Sequence, residues 1–184
     1  MQYASELSTV GIETIAQMAE EARGDFDNIY LHWTAGRYGQ IYPDYHISID
    51  YDGRIYLPDN CRDLTQYRIH TWRRNSRAVA VTLCGCYDAS ANNGYNSNFG
   101  SEGVTTAQIE AMALVVATLC KHGGVPISNV LTHCEAAYED GYGPYSGDEQ
   151  TRWDLWYLPD YDGVMRPGGD VIRGKAVWYL NRKE

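Results

Sequence analysis

The run "RAVAVTLCGC", residues 77–86, constrains the fold most strongly, because small and β-branched residues fill it and polar stretches flank it. A short apolar run of this kind is typical of a central strand that is buried on both faces of a sheet. The stretch "NIYLHW" (28–33) predicts a second strand. The stretch "YHISIDYDGRIYLP" (45–58) predicts a β-hairpin that turns at Asp52 and Gly53.

Helical patterns alternate with these strands. Apolar residues recur at helical spacing over 11–22 and again over 105–122, where Thr105 and Gln108 form a capping-box pattern. A polar loop is expected over 87–103. A closing helix over 170–180 is expected to turn five apolar side chains inward: Val171, Ile172, Val177, Trp178 and Leu180. With no internal repeat and no Pro- or Ser-rich linker, the 184 residues predict one α/β domain spanning 1–184.

Charge and composition exclude several classes of function. The net charge is −9 and no basic patch occurs, which argues against a nucleic-acid partner. No run of about 18 apolar residues is present, so no membrane span is expected. The first residues lack a basic start and an apolar core, so we expect synthesis in the cytoplasm without a signal peptide. Five cysteines without a CxxC pair predict reduced, mostly buried thiols.

Two predicted strands end in a histidine, His32 after "NIYL" and His133 after "NVLT". One such histidine alone is more often half-buried and bound to backbone, but a pair at strand ends favours a metal site. Catalytic zinc takes three protein ligands and a water. Asp154 lies between apolar residues, so burial would leave its carboxylate in need of a partner. Cys134 and Glu135 are rival ligands, and Cys134 ranks lower because strand neighbours point to opposite faces.

Five segments then occur in a telling order over about residues 27–160: "LHWTAG", "DYHISIDYDGRIYLP", "HTWRRNSRAVAVTLCG", "LTHCEAA" and "RWDLWYLP". Together they resemble the zinc-dependent N-acetylmuramoyl-L-alanine amidase family, which includes phage lysozyme-type amidases, recycling amidases and peptidoglycan recognition proteins. The resemblance implies a mixed central β-sheet flanked by helices, with Zn²⁺ in a surface groove. It also implies His32, His133 and Asp154 as ligands, and peptidoglycan or a muropeptide as substrate.

The chain departs from these relatives at two positions. Recycling members carry a glutamate on the central strand where this chain has Thr82, and phage-type members carry a lysine where it has Arg152. The tyrosine that phage-type members use corresponds to Tyr45. The resemblance therefore implies Tyr45 and Arg152 as catalytic residues that stabilise the oxyanion. Arg152 stays protonated, so Tyr45 or a water would pass a proton to the leaving amine.

Aromatic residues gather near the predicted site. The chain holds 16 tyrosines against 2 phenylalanines, and aromatic faces suit sugar rings and peptide stems. We expect substrate contacts from Tyr138, Trp153 and His70, although a loop packed by its own tyrosines would give the same pattern. His46 is expected to pack within the hairpin.

Three functional classes remain open. They are a zinc amidase that cleaves between N-acetylmuramic acid and L-alanine, a non-catalytic peptidoglycan-binding module on the same fold, and an unrelated α/β domain with structural histidines. The complete His-His-Asp set favours the first, and Thr82 with Arg152 favours the second. A monomer is expected. An endolysin, an antibacterial effector paired with an immunity protein, and a recycling enzyme all fit. The first two would act on the cell wall, in the periplasm or on a target cell.

Overall fold

A computed structural model describes residues 1–92, 96–141 and 154–182. Within these ranges the helices are α1 (Ile12–Glu21), α2 (Thr106–Gly123), α3 (His133–Glu139) and α4 (Gly168–Asn181), with 3₁₀ turns at Ala4–Glu6 and Ile127–Asn129. The strands are β1 (Gln2–Tyr3), β2 (Thr9–Val10), β3 (Asn28–Trp33), β4 (Gln40–Ile41), β5 (Ile47–Ile49), β6 (Ile55–Tyr56), β7 (Ala78–Leu83), β8 (Ser90–Asn92), β9 (Asn96–Asn98), β10 (Val130–Thr132), β11 (Tyr157–Pro159) and β12 (Met165–Pro167).

The main sheet has six strands in the order β10-β3-β7-β5-β6-β2. The first four strands run parallel to one another, β6 is antiparallel to β5, and β2 is antiparallel to β6, so the sheet is mixed as expected. Strand β7 lies inside the sheet and all six of its residues are buried, which confirms the central strand. The predicted hairpin is also confirmed, with β5 paired to β6.

Alternation along the strands gives the sheet two different faces. Ile29 and Leu31 of β3, together with Val79 and Val81 of β7, join a core that α1, α2 and α4 cover. The opposite face carries Tyr30 and Ala78, which pack against Ala136 of α3. Helices therefore flank the sheet on both sides, as the resemblance implied.

The second face also carries a polar row across three strands. The register places Thr82 of β7 beside His32 of β3 and beside Ser48 of β5. All three side chains are buried. Because buried polar groups are costly unless paired, this row marks the part of the sheet where a functional site is expected.

Helix α2 begins and ends as its sequence predicts. The Thr105 hydroxyl accepts the Gln108 N–H, and the Gln108 side chain accepts the Thr105 N–H, which confirms the capping box. Gly124 ends the helix with a left-handed φ of 78°. The Gln108 amide also donates to the carbonyls of Ile49 and Cys84, so the start of α2 is fixed to the ends of two sheet strands.

Two predictions about local structure were wrong. The stretch 87–103 is not all loop, because β8 and β9 form an antiparallel pair within it. In α4, Val171 and Ile172 are buried, but Val177 is 38% and Trp178 is 59% exposed. At 100° per residue, Val177 lies about 140° around the helix from Ile172, so one face cannot hold both.

All five cysteines are free thiols. Four are buried and Cys61 is partly exposed, which agrees with the prediction of mostly buried thiols. None of the helices in the described ranges is long and apolar enough to cross a membrane.

Candidate metal centre

The structure brings together the three residues expected to bind a metal. Nδ1 of His32 lies 3.0 Å from Oδ2 of Asp154, and Nδ1 of His133 lies 2.9 Å from Oδ1 of the same carboxylate. One potential ligand atom from each residue lies within 4.8 Å of the other two. Within the described ranges, no other group of three His, Cys, Asp or Glu side chains converges in this way.

The two histidines reach the cluster by different routes. His32 lies on the polar face of β3, two positions after Tyr30. His133 directly follows the short strand β10, as expected, and it is also the first residue of α3. Thr132 and Glu135 form a capping box there, and the Glu135 carboxylate also accepts two hydrogen bonds from Arg173 of α4, at 2.7 and 2.8 Å.

This helix start changes the argument about the rival ligands. Cys134 follows His133 in a helix, so the strand rule that placed it on the opposite face does not apply. Cys134 is buried outside the convergent cluster. Glu135 is committed to its cap and to Arg173, and it too lies outside the cluster. The structure thus favours Asp154 as the third member.

Asp154 lies at the start of a tightly held turn. The next residue, Leu155, has a left-handed φ of 60°, which is unusual for a bulky side chain. Gly168 at the start of α4 approaches so closely that a Cβ there would lie 1.9 Å from the Leu155 carbonyl oxygen. The Gly168 N–H donates to the Trp156 carbonyl at 2.8 Å. The backbone around Asp154 is therefore fixed by α4.

The charge states of the cluster suit a divalent cation. Burial lowers the pKa of His32 more than Asp154 raises it, so the imidazole is neutral. Burial by itself would raise the pKa of Asp154, but His133 and His32 outweigh it and hold that pKa below its ordinary value. The ionised carboxylate keeps one orphan atom, because Oδ1 accepts no hydrogen bond within the described part of the chain. Nδ1 of His133 lies 2.9 Å from this atom.

Tyr45 lies beside this cluster. Its ring centroid is 5.2 Å from that of His32. Burial raises the pKa of the phenol, and the charge of Asp154 raises it further, so Tyr45 remains protonated. The neighbouring His46 is fully buried directly before β5, but its hydrogen bonds go to β7 and to Gln66 and not to the hairpin in which it was expected to pack. Its Nδ1 accepts the Ala80 N–H at 3.0 Å and its Nε2–H donates to the Gln66 carbonyl at 2.8 Å, so it anchors the segment that carries Tyr45.

His70 lies against His32, with ring centroids 5.4 Å apart. Its Nδ1 is 2.9 Å from the Thr71 hydroxyl, which in turn is 3.3 Å from Nε2 of His32. Burial and the nearby His32 lower the pKa of His70 to about 2, so this ring is also neutral. Sequence reasoning did not identify Thr71, and nothing in "IHTW" distinguishes it from an ordinary loop threonine.

Of the other predicted site residues, Tyr138 belongs to the described part of the chain. Tyr138 is 46% exposed on α3. It lies five residues after His133, about 140° around the helix from it. Arg152 and Trp153 lie outside the described residues. Thr82, which occupies the position of the recycling-type glutamate, lies beside His32 with its hydroxyl buried and unpaired within the described residues.

Comparison with known proteins identifies the family. A model of the N-acetylmuramoyl-L-alanine amidase family matches residues 8–146, a segment that includes His32 and His133 and ends before Asp154. A search among curated proteins found no significant match.

Two solved structures from Clostridium intestinale URNW are similar to this chain. The endolysin N-acetylmuramoyl-L-alanine amidase LysCS is 18% identical with a TM-score of 0.42, over 72% of this chain and 76% of its own. The N-acetylmuramoyl-L-alanine amidase LysC is 17% identical with a TM-score of 0.44, over 81% of this chain and 91% of its own. Because the family model spans most of the sequence, this chain belongs to the N-acetylmuramoyl-L-alanine amidase family.

Proposed function

We propose that this chain is a zinc-dependent amidase that hydrolyses the bond between N-acetylmuramic acid and the L-alanine of the peptidoglycan stem peptide. The observation that carries the proposal is the convergence of the buried His32 and Asp154 with the partly buried His133 in a member of this family. Three protein ligands with one open position is the arrangement that catalytic zinc requires.

The three side chains fit zinc in chemistry and in spacing. Two imidazole nitrogens and one carboxylate oxygen are ordinary zinc ligands. Bonds of about 2.0–2.2 Å in a tetrahedron separate ligand atoms by about 3.3–3.6 Å. The two histidine nitrogens lie 3.0 and 2.9 Å from different oxygens of the Asp154 carboxylate, and one ligand atom from each residue lies within 4.8 Å of the other two, so the cluster is compact enough to close on one ion. The buried, ionised carboxylate of Asp154 would gain a cation as its partner.

Each residue then has a defined task. Bound zinc supplies a water of pKa near 7 and polarises the scissile carbonyl. His32 presents a neutral imidazole, His133 offers a second ring nitrogen, and Asp154 presents a charged carboxylate that offsets the cation. Tyr45 keeps its proton and donates a hydrogen bond to the carbonyl oxygen as negative charge develops on it.

Other residues complete the proposal. We assign Arg152 the role of a positively charged hydrogen-bond donor to the developing oxyanion. We assign Tyr138 and Trp153 contacts with the glycan or the stem peptide. Proton delivery to the leaving amine falls to Tyr45 or to a water held by it. Action on peptidoglycan places the work at the cell wall, as expected for an endolysin or for an effector that reaches a target cell.

Metal analysis together with digestion of purified sacculi tests the function. We expect about one zinc per chain, and its loss in His32→Ala and in His133→Ala. His122→Ala is the matched control, because His122 lies at the far end of α2 near Glu20 and should leave zinc content unchanged.

Mass analysis of the products identifies the bond that is cut. Peptides that begin with L-alanine, released from intact glycan strands, support the amidase. New reducing sugar ends would indicate a glycosidase, and new amino groups within the stem would indicate an endopeptidase. Zinc binding with no product at all would leave the non-catalytic peptidoglycan-binding module as the function.

A further inference from the structure

On the side that faces away from Asp154, the His32 ring makes a second set of polar contacts. Nε2 of His32 lies 3.3 Å from Oγ1 of Thr71, and the same oxygen lies 2.9 Å from Nδ1 of His70. Thr71 is 3% exposed and His32 is 1% exposed, so water has little access to these contacts. One hydroxyl therefore links the two imidazoles.

The direction of each hydrogen bond among His32, Thr71 and His70 depends on whether Nδ1 of His32 carries a proton or binds a metal. A neutral imidazole carries one N–H. If Nδ1 binds a metal, the proton must be on Nε2, where it donates to Thr71. The Thr71 hydroxyl then donates to Nδ1 of His70, and His70 carries its own proton on Nε2. A hydroxyl can accept two hydrogen bonds, so His70 could also donate to Thr71 from Nδ1, but the arrangement above is the one in which the Thr71 proton also finds an acceptor among these contacts.

The backbone places the Thr71 hydroxyl independently of the two rings. Oδ1 of Asn75 accepts the N–H of His70 at 3.0 Å and the N–H of Thr71 at 2.8 Å. The Arg74 N–H donates to the Thr71 carbonyl at 3.0 Å and closes the turn. Arg74 also makes two hydrogen bonds of 2.8 Å to Asp140, directly after α3. The turn is thus fixed, and it is tied to the helix that begins with His133.

Unpaired buried atoms are concentrated in the same region. Among the described residues, five buried side-chain atoms have no hydrogen-bond partner. Four of them belong to His70, Asp154, Thr82 and Ser48, which contact His32 or share its polar row. Native proteins retain few such atoms, and those that persist usually serve a site. The polar surroundings of His32 are therefore unlike an ordinary core.

We propose that Thr71, supported by His70, is a positioning residue that holds the His32 ring and keeps the proton on Nε2, so that Nδ1 is free for the metal. The inference rests on the proposed function, because it assigns a role towards the zinc that His32 would bind. This role requires no contact of either residue with the substrate, and the substrate contact expected of His70 is a separate proposal.

Zinc affinity, measured by competition with a chromophoric chelator, tests the role. Thr71→Val keeps the shape and removes the hydroxyl, and we expect zinc to bind about 10–100-fold more weakly. Thr71→Ser restores the hydroxyl and should return affinity to within several-fold of wild type. Thr118→Val is the matched control, because the buried Thr118 hydroxyl donates to the Leu114 carbonyl of its own helix. That variant should bind zinc as wild type does.

A second readout reports the proton directly. In zinc-loaded protein labelled with ¹⁵N-histidine, long-range NMR correlations should show His32 and His70 both protonated at Nε2. Equal zinc affinity in Thr71→Val and wild type, or a zinc-loaded His70 protonated at Nδ1, would overturn the inference and leave the proposed amidase intact. A wild-type chain that binds no zinc would overturn both.

Discussion

The buried His46 should make the stability of the fold depend on pH. Burial is the largest cause that lowers the pKa of His46, from 6.5 to about 4. A charged ring is disfavoured at this position because water cannot reach it. The pKa of the same ring is higher in the unfolded chain, so as pH falls the unfolded chain binds a proton before the folded chain does. Stability is therefore unaffected above about pH 6.5 and is lost as pH falls toward 4.

The magnitude follows from the two pKa values. The interval from 6.5 to about 4, at about 1.4 kcal/mol for each pH unit, corresponds to about 3 kcal/mol lost from the free energy of unfolding. The variant His46→Phe lacks this pH-dependent loss of stability, because phenylalanine does not titrate. The variant should already be about 2–4 kcal/mol less stable at pH 7, because the Ala80 N–H and the Gln66 carbonyl lose their partner.

Urea unfolding of both proteins between pH 7 and pH 4, with chelator present throughout, measures the effect. The stability difference between wild type and His46→Phe should shrink by about 3 kcal/mol across this range. An NMR titration of the wild-type His46 ring should give a midpoint near 4. A stability difference that stays constant with pH, or a midpoint near 6.5, would refute the reasoning.

Further predictions concern catalysis and the turn that holds Asp154. Tyr45→Phe should lower kcat by about 100–1,000-fold, as for the loss of one oxyanion donor, and should change the shape of the pH–rate profile. Arg152→Ala should lower kcat by up to a similar factor with zinc content unchanged, whereas Arg152→Lys should keep substantial activity; wild-type rates in the alanine variant would remove Arg152 from the mechanism. Gly168→Ala should destabilise the fold by about 1–3 kcal/mol in thermal unfolding, because its Cβ would meet the Leu155 carbonyl. Gly174→Ala in the same helix has open space and should stabilise it by about 0.5–1 kcal/mol.

The sheet and the longer helices could be predicted because their signals are local. The unbroken apolar run of β7, the alternation of the β5–β6 hairpin and the capping box of α2 each need only neighbouring residues. Helix α3 was missed because seven residues are too few to show a period. Its Thr132–Glu135 capping box was the one available signal. The direction of the α4 side chains depends on which face meets α2, which only tertiary packing decides.

Part of the candidate site could likewise be predicted from the sequence, and part of it could not. His32, His133 and Asp154 were identified because strand ends, an apolar setting for a carboxylate and an ordered family resemblance pointed to the same residues. Thr71 was not identified, since its importance comes from a turn held by Asn75 that brings its hydroxyl to a strand far away in sequence. The residue type of Thr71 gives no signal in the sequence for this contact with His32.

The free cysteines have a consequence for the chemical durability of the chain. Burial raises the pKa of the Cys86 thiol to about 12 and that of Cys120 to about 11, and it raises those of Cys61, Cys84 and Cys134 as well. Oxidation and disulfide exchange proceed through the thiolate, which at pH 7 is then about one part in 10,000 or less of Cys86 and of Cys120. With no disulfide to reduce and little thiolate to oxidise, the protein should keep one covalent structure whether its surroundings are reducing or oxidising.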